Sequence, residues 1–187
     1  MRSGDFLAPT LLVAMPQLQD PNFARSVVLL CEHGPDGAMG FVVNRPTDVL
    51  ASAAVSLDPP VRSESRLTLW TGGPVETHRG FVLVGGEGLE GTEEIGAGLH
   101  LTASADVLRQ LLEADPDDVE RFRCRVLLGY AGWGPGQLDS ELAASAWLSA
   151  PADPDLVFAH DPETMWDAAI RTLGVDPMTL APGPGIQ

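Results

Sequence analysis

The chain has no lysine: all 11 of its basic residues are arginine, set against 26 aspartates and glutamates. The formal net charge of −15 repels nucleic-acid phosphates and anionic lipid headgroups over a Debye length of about 8 Å at physiological salt. Direct nucleic-acid binding is therefore disfavoured unless a local basic patch defeats the global field. The one dense basic run, Arg121-Phe122-Arg123-Cys124-Arg125, is offset by Asp115, Asp117, Asp118 and Glu120. Cysteine is scarce as well. Cys31 and Cys124 both sit in apolar, strand-like runs, which suits a reducing compartment where cysteine serves as a small hydrophobe. Long apolar runs are missing too, and none approaches the ~20 residues that cross a bilayer. The first apolar stretch is broken by Asp5 and Pro9 and lacks a small-x-small cleavage site, so it does not read as a signal peptide. These absences predict a cytoplasmic protein with no membrane attachment.

What is present is an ordinary globular composition, 44% hydrophobic over 187 residues, enough for one domain with a sizeable core. Residues 10–15 and 26–31 are continuous apolar runs that predict buried strands. Gly34-Pro35-Asp36-Gly37 turns the second into a third strand over 38–43, a hairpin. Residues 47–55 read as a weak helix with Thr47 at its N-cap, and 57–66 as a proline-bearing loop. Further strands are expected over 67–71, 79–84, 99–102 and 124–129, with 147–150 and 155–158 as short ones. The Gly- and Glu-rich segment 85–98 reads as a mobile surface loop. Ser104 caps a helix to Ala114 that places Val107, Leu108, Leu111 and Leu112 on one face, and Asp115-Pro116-Asp117-Asp118 reads as the acidic turn ending it. A helix is expected over 137–146. The last has Asp161 as N-cap, Pro162 in the first turn and Gly174 beyond its end. The tail, 181–187, reads as frayed. Paired strands with helices appended predict an α+β domain with an antiparallel or mixed sheet.

The stretch Gly129-Tyr130-Ala131-Gly132-Trp133-Gly134-Pro135-Gly136-Gln137-Leu138 follows an apolar run and precedes a helical pattern. A strand that breaks into a glycine-rich turn before a helix is a place where backbone N–H groups can hold an anion. It has neither phosphate-loop nor dinucleotide spacing, so the alternatives are a packed corner or a small-ligand pocket lined by Tyr130, Trp133 and Gln137. Arg25 and Arg45 stand at strand ends, where each could fork onto a carboxylate or phosphate or form an internal ion pair. Ser26 and Asn44 are their neighbours. Cys31 and His33 share a strand face, but two ligands do not make a zinc site, and i,i+2 side chains splay apart for nucleophile–base work. No metal, cofactor or catalytic set is implied.

Several motifs stand together in order and spacing. They are Met15-Pro16-x-Leu18-x-Asp20-Pro21-x-Phe23-x-Arg25-Ser26-Val27, Cys31-Glu32-His33, residues 37–46 (GAMGFVVNRP), Gly72-Gly73-Pro74-Val75 and Arg79-Gly80-Phe81-Val82-Leu83. The glycine-rich stretch above, Ala146-Trp147-Leu148 and Asp155-Leu156-Val157-Phe158 complete the set. Over roughly residues 5–180 the chain closely resembles the AlgH/YqgE family of bacterial proteins. The resemblance implies one α+β domain over 1–180, its sheet curled into a pseudo-barrel with flanking helices, and a flexible tail at 181–187. It implies no settled activity. Some members carry the label of transcriptional regulator, of alginate genes in particular.

Three functions follow as expectations. The first is a cytoplasmic, non-catalytic binding or regulatory protein that acts on a small molecule or protein partner through Arg25, Ser26, Asn44, Arg45, Tyr130, Trp133 and Gln137. The second is transcriptional regulation, direct or indirect. The third is a hydrolase or redox enzyme using Cys31 or Ser26. The ligand, the partner and the oligomeric state stay open.

Overall fold

The computed structural model describes residues 8–61, 63–159 and 161–180. The tail at 181–187 lies outside them. β1 (Thr10–Ala14) and β2 (Val27–Gly34) pair antiparallel, and a Pro35-Asp36 turn joins β2 to β3 (Gly37–Val42) in the expected hairpin. β4 (Pro46–Leu50) pairs with β5 (Thr68–Thr71). β6 (Val75–Gly85), β7 (Glu93–Gly96) and β8 (Leu99–Thr102) follow, with β8 between the other two. β9 (Cys124–Trp133) is central and β10 (Trp147–Ala150) returns to β1. The path is β10-β1-β2-β3-β9-β6-β8-β7, with β4 and β5 attached beside β9. Among the described strands only the β5–β9 pair is parallel. The sheet curls into a half-barrel, so the domain is α+β with a mixed sheet.

Both faces of β1 and β2 are covered, which is why these strands read as unbroken apolar runs rather than alternating ones. Leu11, Val13, Val27 and Leu29 point to the side of Trp166, Ala169 and Ile170, whereas Leu12, Val28 and Leu30 point to the side of Trp133, Leu138 and Trp147. A third cluster packs the helical face Val107, Leu108, Leu111 and Leu112 on Val82, Val84 and Val126.

Among the described residues the helices are α1 (Ala51–Ala54), α2 (Ala105–Glu113), α3 (Pro116–Arg121), α4 (Gln137–Ala143), α5 (Pro154–Ala159), α6 (Met165–Arg171) and α7 (Pro177–Leu180). α2 starts as expected, the Ser104 hydroxyl accepting from the Val107 N–H. Elsewhere the structure corrects the expectations. Residues 46–50 form a strand, not a helix start; Pro46 is its first residue, where no ladder donor is needed. Thr47 Oγ1 bonds the Leu69 carbonyl across the pair instead of capping a helix. The 85–98 segment contains β7 rather than being a plain loop. Residues 155–158 are helical, because Asp153 caps the chain with Pro154 in the first turn. Asp115 and Pro116 likewise begin α3 instead of merely ending α2. Asp161 and Pro162 make a turn, and α6 itself opens at Met165. β9 runs on through Trp133, so the turn expected at Gly129 starts only at Gly134. Among the described residues no helix is long and apolar enough to cross a membrane.

Candidate functional site

The corner after β9 is built around a carboxylate. Gly134 N–H donates to Gln137 Oε1 at 3.0 Å and Gln137 N–H returns to the Gly134 carbonyl at 3.1 Å, closing the turn that starts α4. Gln137 Nε2 then donates to Glu141 Oε1, one helical turn on, at 3.1 Å. The indole N–H groups of Trp133 and Trp147 both donate to Glu141 Oε2, at 2.9 and 2.8 Å. The anion that this corner attracts is the protein's own. Glu141 was missed in the sequence, although its i,i+4 spacing from Gln137 is a helix-face signal.

Arg25, Ser26, Asn44 and Arg45 gather where β2 begins and β3 ends. Arg45 donates to the carbonyls of Pro21, Asn22 and Ala24, and burial lowers its pKa, with Asp20 acting the other way. This hub holds the Asp20–Pro21 turn so that Phe23 packs on Trp133 and Trp147, at ring centroid distances of 6.4 and 5.7 Å. Asn44 accepts from Val27 N–H and donates to the Arg25 carbonyl, each at 3.0 Å. Arg25 lies over the Trp166 ring at 4.3 Å and reaches Asp167 at 3.4 Å. Ser26 is fully buried and its hydroxyl has no hydrogen-bond partner among the described residues. Two arginines of the basic run are similarly consumed: Arg123 pairs with Asp155, and Arg125 donates to the Phe158 carbonyl while lying over Trp70 at 4.5 Å.

The thiols are poorly suited to chemistry. Burial, with Glu32 adding to it, pushes Cys31 up from 9.0 to about 12, and burial pushes Cys124 up to about 11 despite Arg125. Near pH 8 a thiol at the ordinary 9.0 is about one-tenth ionised, whereas one titrating near 12 is ionised about once in ten thousand molecules. Iodoacetamide at pH 8 is therefore expected to modify both cysteines at least about 100-fold more slowly in the native protein than in urea. Native labelling within tenfold of the unfolded rate would reveal an accessible thiolate. Because the folded values lie above the unfolded one, the thiols favour the native state fully below pH 9.0, and that contribution falls as pH rises through 11 and 12.

Tyr130 is elsewhere. It points from β9 into a cleft of about 540 Å³ floored by Met39, Phe81, Ile95 and Leu101 and rimmed by Glu32, Arg79, Glu93 and Glu94. Glu76 beside its hydroxyl raises its pKa, as does burial, against the opposing Arg79. Cys31 also lines this cleft. Among the described residues no three His, Cys, Asp or Glu side chains are grouped to hold a metal ion. The seven residues singled out in the sequence thus fall into three places. Trp133 and Gln137 meet at the Glu141 corner; Arg25, Ser26, Asn44 and Arg45 hold the loop before β2; Tyr130 alone reaches the cleft.

Solved structures share this fold along nearly the whole chain. The solution structure of the AlgH protein from Pseudomonas aeruginosa matches with a TM-score of 0.76 and 38% identity, covering 100% of this chain and 99% of that one. The crystal structure of a protein from Corynebacterium diphtheriae matches with a TM-score of 0.68 and 25% identity, over 97% of this chain and 93% of the other. A UPF0301 protein of Ruegeria pomeroyi is 41% identical over 96% of this chain and 98% of its own length. One from Myxococcus xanthus is 43% identical over 97% and 98%. With the AlgH-like family model matching residues 11–178, the chain belongs to the AlgH-like family.

Proposed function

We propose that the protein is a non-catalytic binding domain whose ligand occupies the cleft beside Tyr130, so that it acts by being occupied rather than by turnover. The observation that carries this reading is the cleft itself. An apolar floor of Met39, Phe81, Ile95 and Leu101 under a charged rim is the usual build of a site that takes an apolar body and orients it by its polar ends. Its thiol, Cys31, is held neutral by burial. Ser26 is sealed in the core. A cytoplasmic setting belongs to the same reading, since both cysteines are free thiols.

A heteronuclear NMR titration with a fragment library tests it. Binding fragments are expected to shift signals of Glu32, Met39, Phe81, Glu94 and Thr102 together, to emerge chemically unchanged, and to lose at least about fivefold in affinity in a Tyr130→Ala protein. Fragments that instead shift only Trp133, Gln137 and Glu141, or that are converted to product, would overturn the proposal.

A further inference from the structure

The cleft is also the open seam of the half-barrel. β7 ends the sheet path and pairs only with β8 among the described strands. Opposite it, β2 outruns β1: the β1–β2 register ends at Thr10↔Leu30, while the β2–β3 register continues to Gly34↔Gly37. Residues 31–34 therefore have β3 on one edge and no described strand on the other. At Gly96 the seam is pinched, since a Cβ there would lie 2.8 Å from Pro9 Cγ. It opens between Cys31 and Glu32 on one side and Glu93, Glu94 and Ile95 on the other, all of which line the cleft.

Charge at this opening is one-sided. Glu32, Glu93 and Glu94 are exposed, and none forms an ion pair or side-chain hydrogen bond with another described residue. Arg79, the only cation lining the cleft among the described residues, already reaches Glu76 at 3.3 Å. Short, bulged, acidic edge strands discourage pairing with another copy of an acidic chain, and this chain carries a net −15. The same carboxylates attract a cationic strand.

Resting on the reading of the cleft as a binding site, we propose that its occupant is an extended, basic segment of a partner protein that adds to the sheet along the seam. Its backbone would pair with the free edge beside residues 31–34 or with that of β7. Side chains on one face of the added strand would then lie over Met39 and Leu101 beside Glu32 and Glu93, their cross-strand partners, and the alternate ones would fall on the face of Glu94, arginine or lysine meeting the carboxylates and apolar residues the floor.

Fluorescence anisotropy with a labelled peptide alternating arginine and valine tests this. The peptide is expected to bind, its glutamate–valine counterpart not to bind, and the triple variant Glu32→Gln/Glu93→Gln/Glu94→Gln to weaken binding on the order of tenfold or more. All three positions are exposed, so this variant is expected to fold as the parent does. N-methylation of alternate backbone amides is expected to abolish binding. Undiminished binding of the N-methylated peptide, displacement by spermine at matched charge concentration, or indifference to the triple variant would each overturn strand addition by a basic segment. If the peptide fails while neutral fragments still shift the signals of Glu32 and Glu94, the basic partner is wrong and the cleft stands as a binding site. If neither perturbs the cleft, both readings fall.

Discussion

Replacing Gly73 with alanine is expected to destabilise the protein by about 4 kcal/mol or more, enough to leave little soluble folded material. A Cβ at this position would lie 2.1 Å from the carbonyl carbon of Tyr130 and 2.5 Å from the nitrogen of Ala131. Both are backbone atoms of β9 and cannot be moved without opening its ladders. The opposing position is as tight: a Cβ on Gly129, whose φ is +73°, would lie 2.4 Å from the Gly73 carbonyl oxygen. The reason for the contact is a change of partner. One edge of β9 pairs with β5 up to Leu128 and with β3 from Ala131 onward, while β6 holds the other edge. Between those two partners, Gly72 takes a hydrogen bond from Val42 and gives one to Leu128, each at 2.7 Å. Two chains cross there at backbone distance, and only glycine leaves room. Urea unfolding of Gly73→Ala beside Gly80→Ala checks this. Gly80 lies on β6 with no atom nearer than Leu128 Cδ2, 4.0 Å from an added Cβ, so its variant is expected to stay within about 1 kcal/mol of the parent. Equal midpoints for the two variants would remove the crossing argument.

That crossing also explains what the sequence concealed. The apolar runs of β1 and β2, the hairpin at Pro35-Asp36 and the capped face of α2 were legible because each carries a local signal: periodicity, turn chemistry or a serine N-cap. The glycines of residues 129–136 carry an ambiguous one. Glycine marks a turn, but it also marks a strand whose backbone is approached by another, and only the partner, 56 residues away at Gly73 in the case of Gly129, decides between them. The Asp-Pro dipeptides were under-read for a different reason. Those at Asp115, Asp153 and Asp176 begin α3, α5 and α7, since aspartate accepts the first free N–H and proline needs none. At Asp155-Leu156-Val157-Phe158 the apolar, strand-like composition hid that start signal. The cleft was least legible. Its walls come from β2, β3, β6, β7, β8 and β9; Tyr130 stood out only as part of a turn that proved to be strand, and Cys31 only as a candidate nucleophile.

Glu141→Ala is expected to cost about 2–4 kcal/mol, the largest effect of any single polar side chain in the corner after β9. One carboxylate there satisfies the indole N–H groups of Trp133 and Trp147 and the amide of Gln137. The two tryptophans are only 7% and 3% exposed, so their donors would have few alternatives, and hydrogen bonds to a charged acceptor are worth about 1.5–3 kcal/mol each before any water enters. Glu141→Gln sharpens the test. The amide oxygen can still accept from the indoles, but its NH2 then faces Gln137 Nε2, donor against donor. Gln137 cannot turn over without presenting its own NH2 to the Gly134 N–H that its Oε1 now accepts. Gln137 is exposed, so water can take up its displaced donor, and the single glutamine variant is expected to lose up to about 1 kcal/mol. Adding Gln137→Glu gives that NH2 and the Gly134 N–H a common acceptor, and the double variant is expected to recover most of the loss. Denaturant unfolding followed by tryptophan fluorescence reads all three proteins. A Glu141→Ala midpoint within about 0.5 kcal/mol of the parent, or a double variant no more stable than Glu141→Gln, would show that the indoles do not depend on this carboxylate.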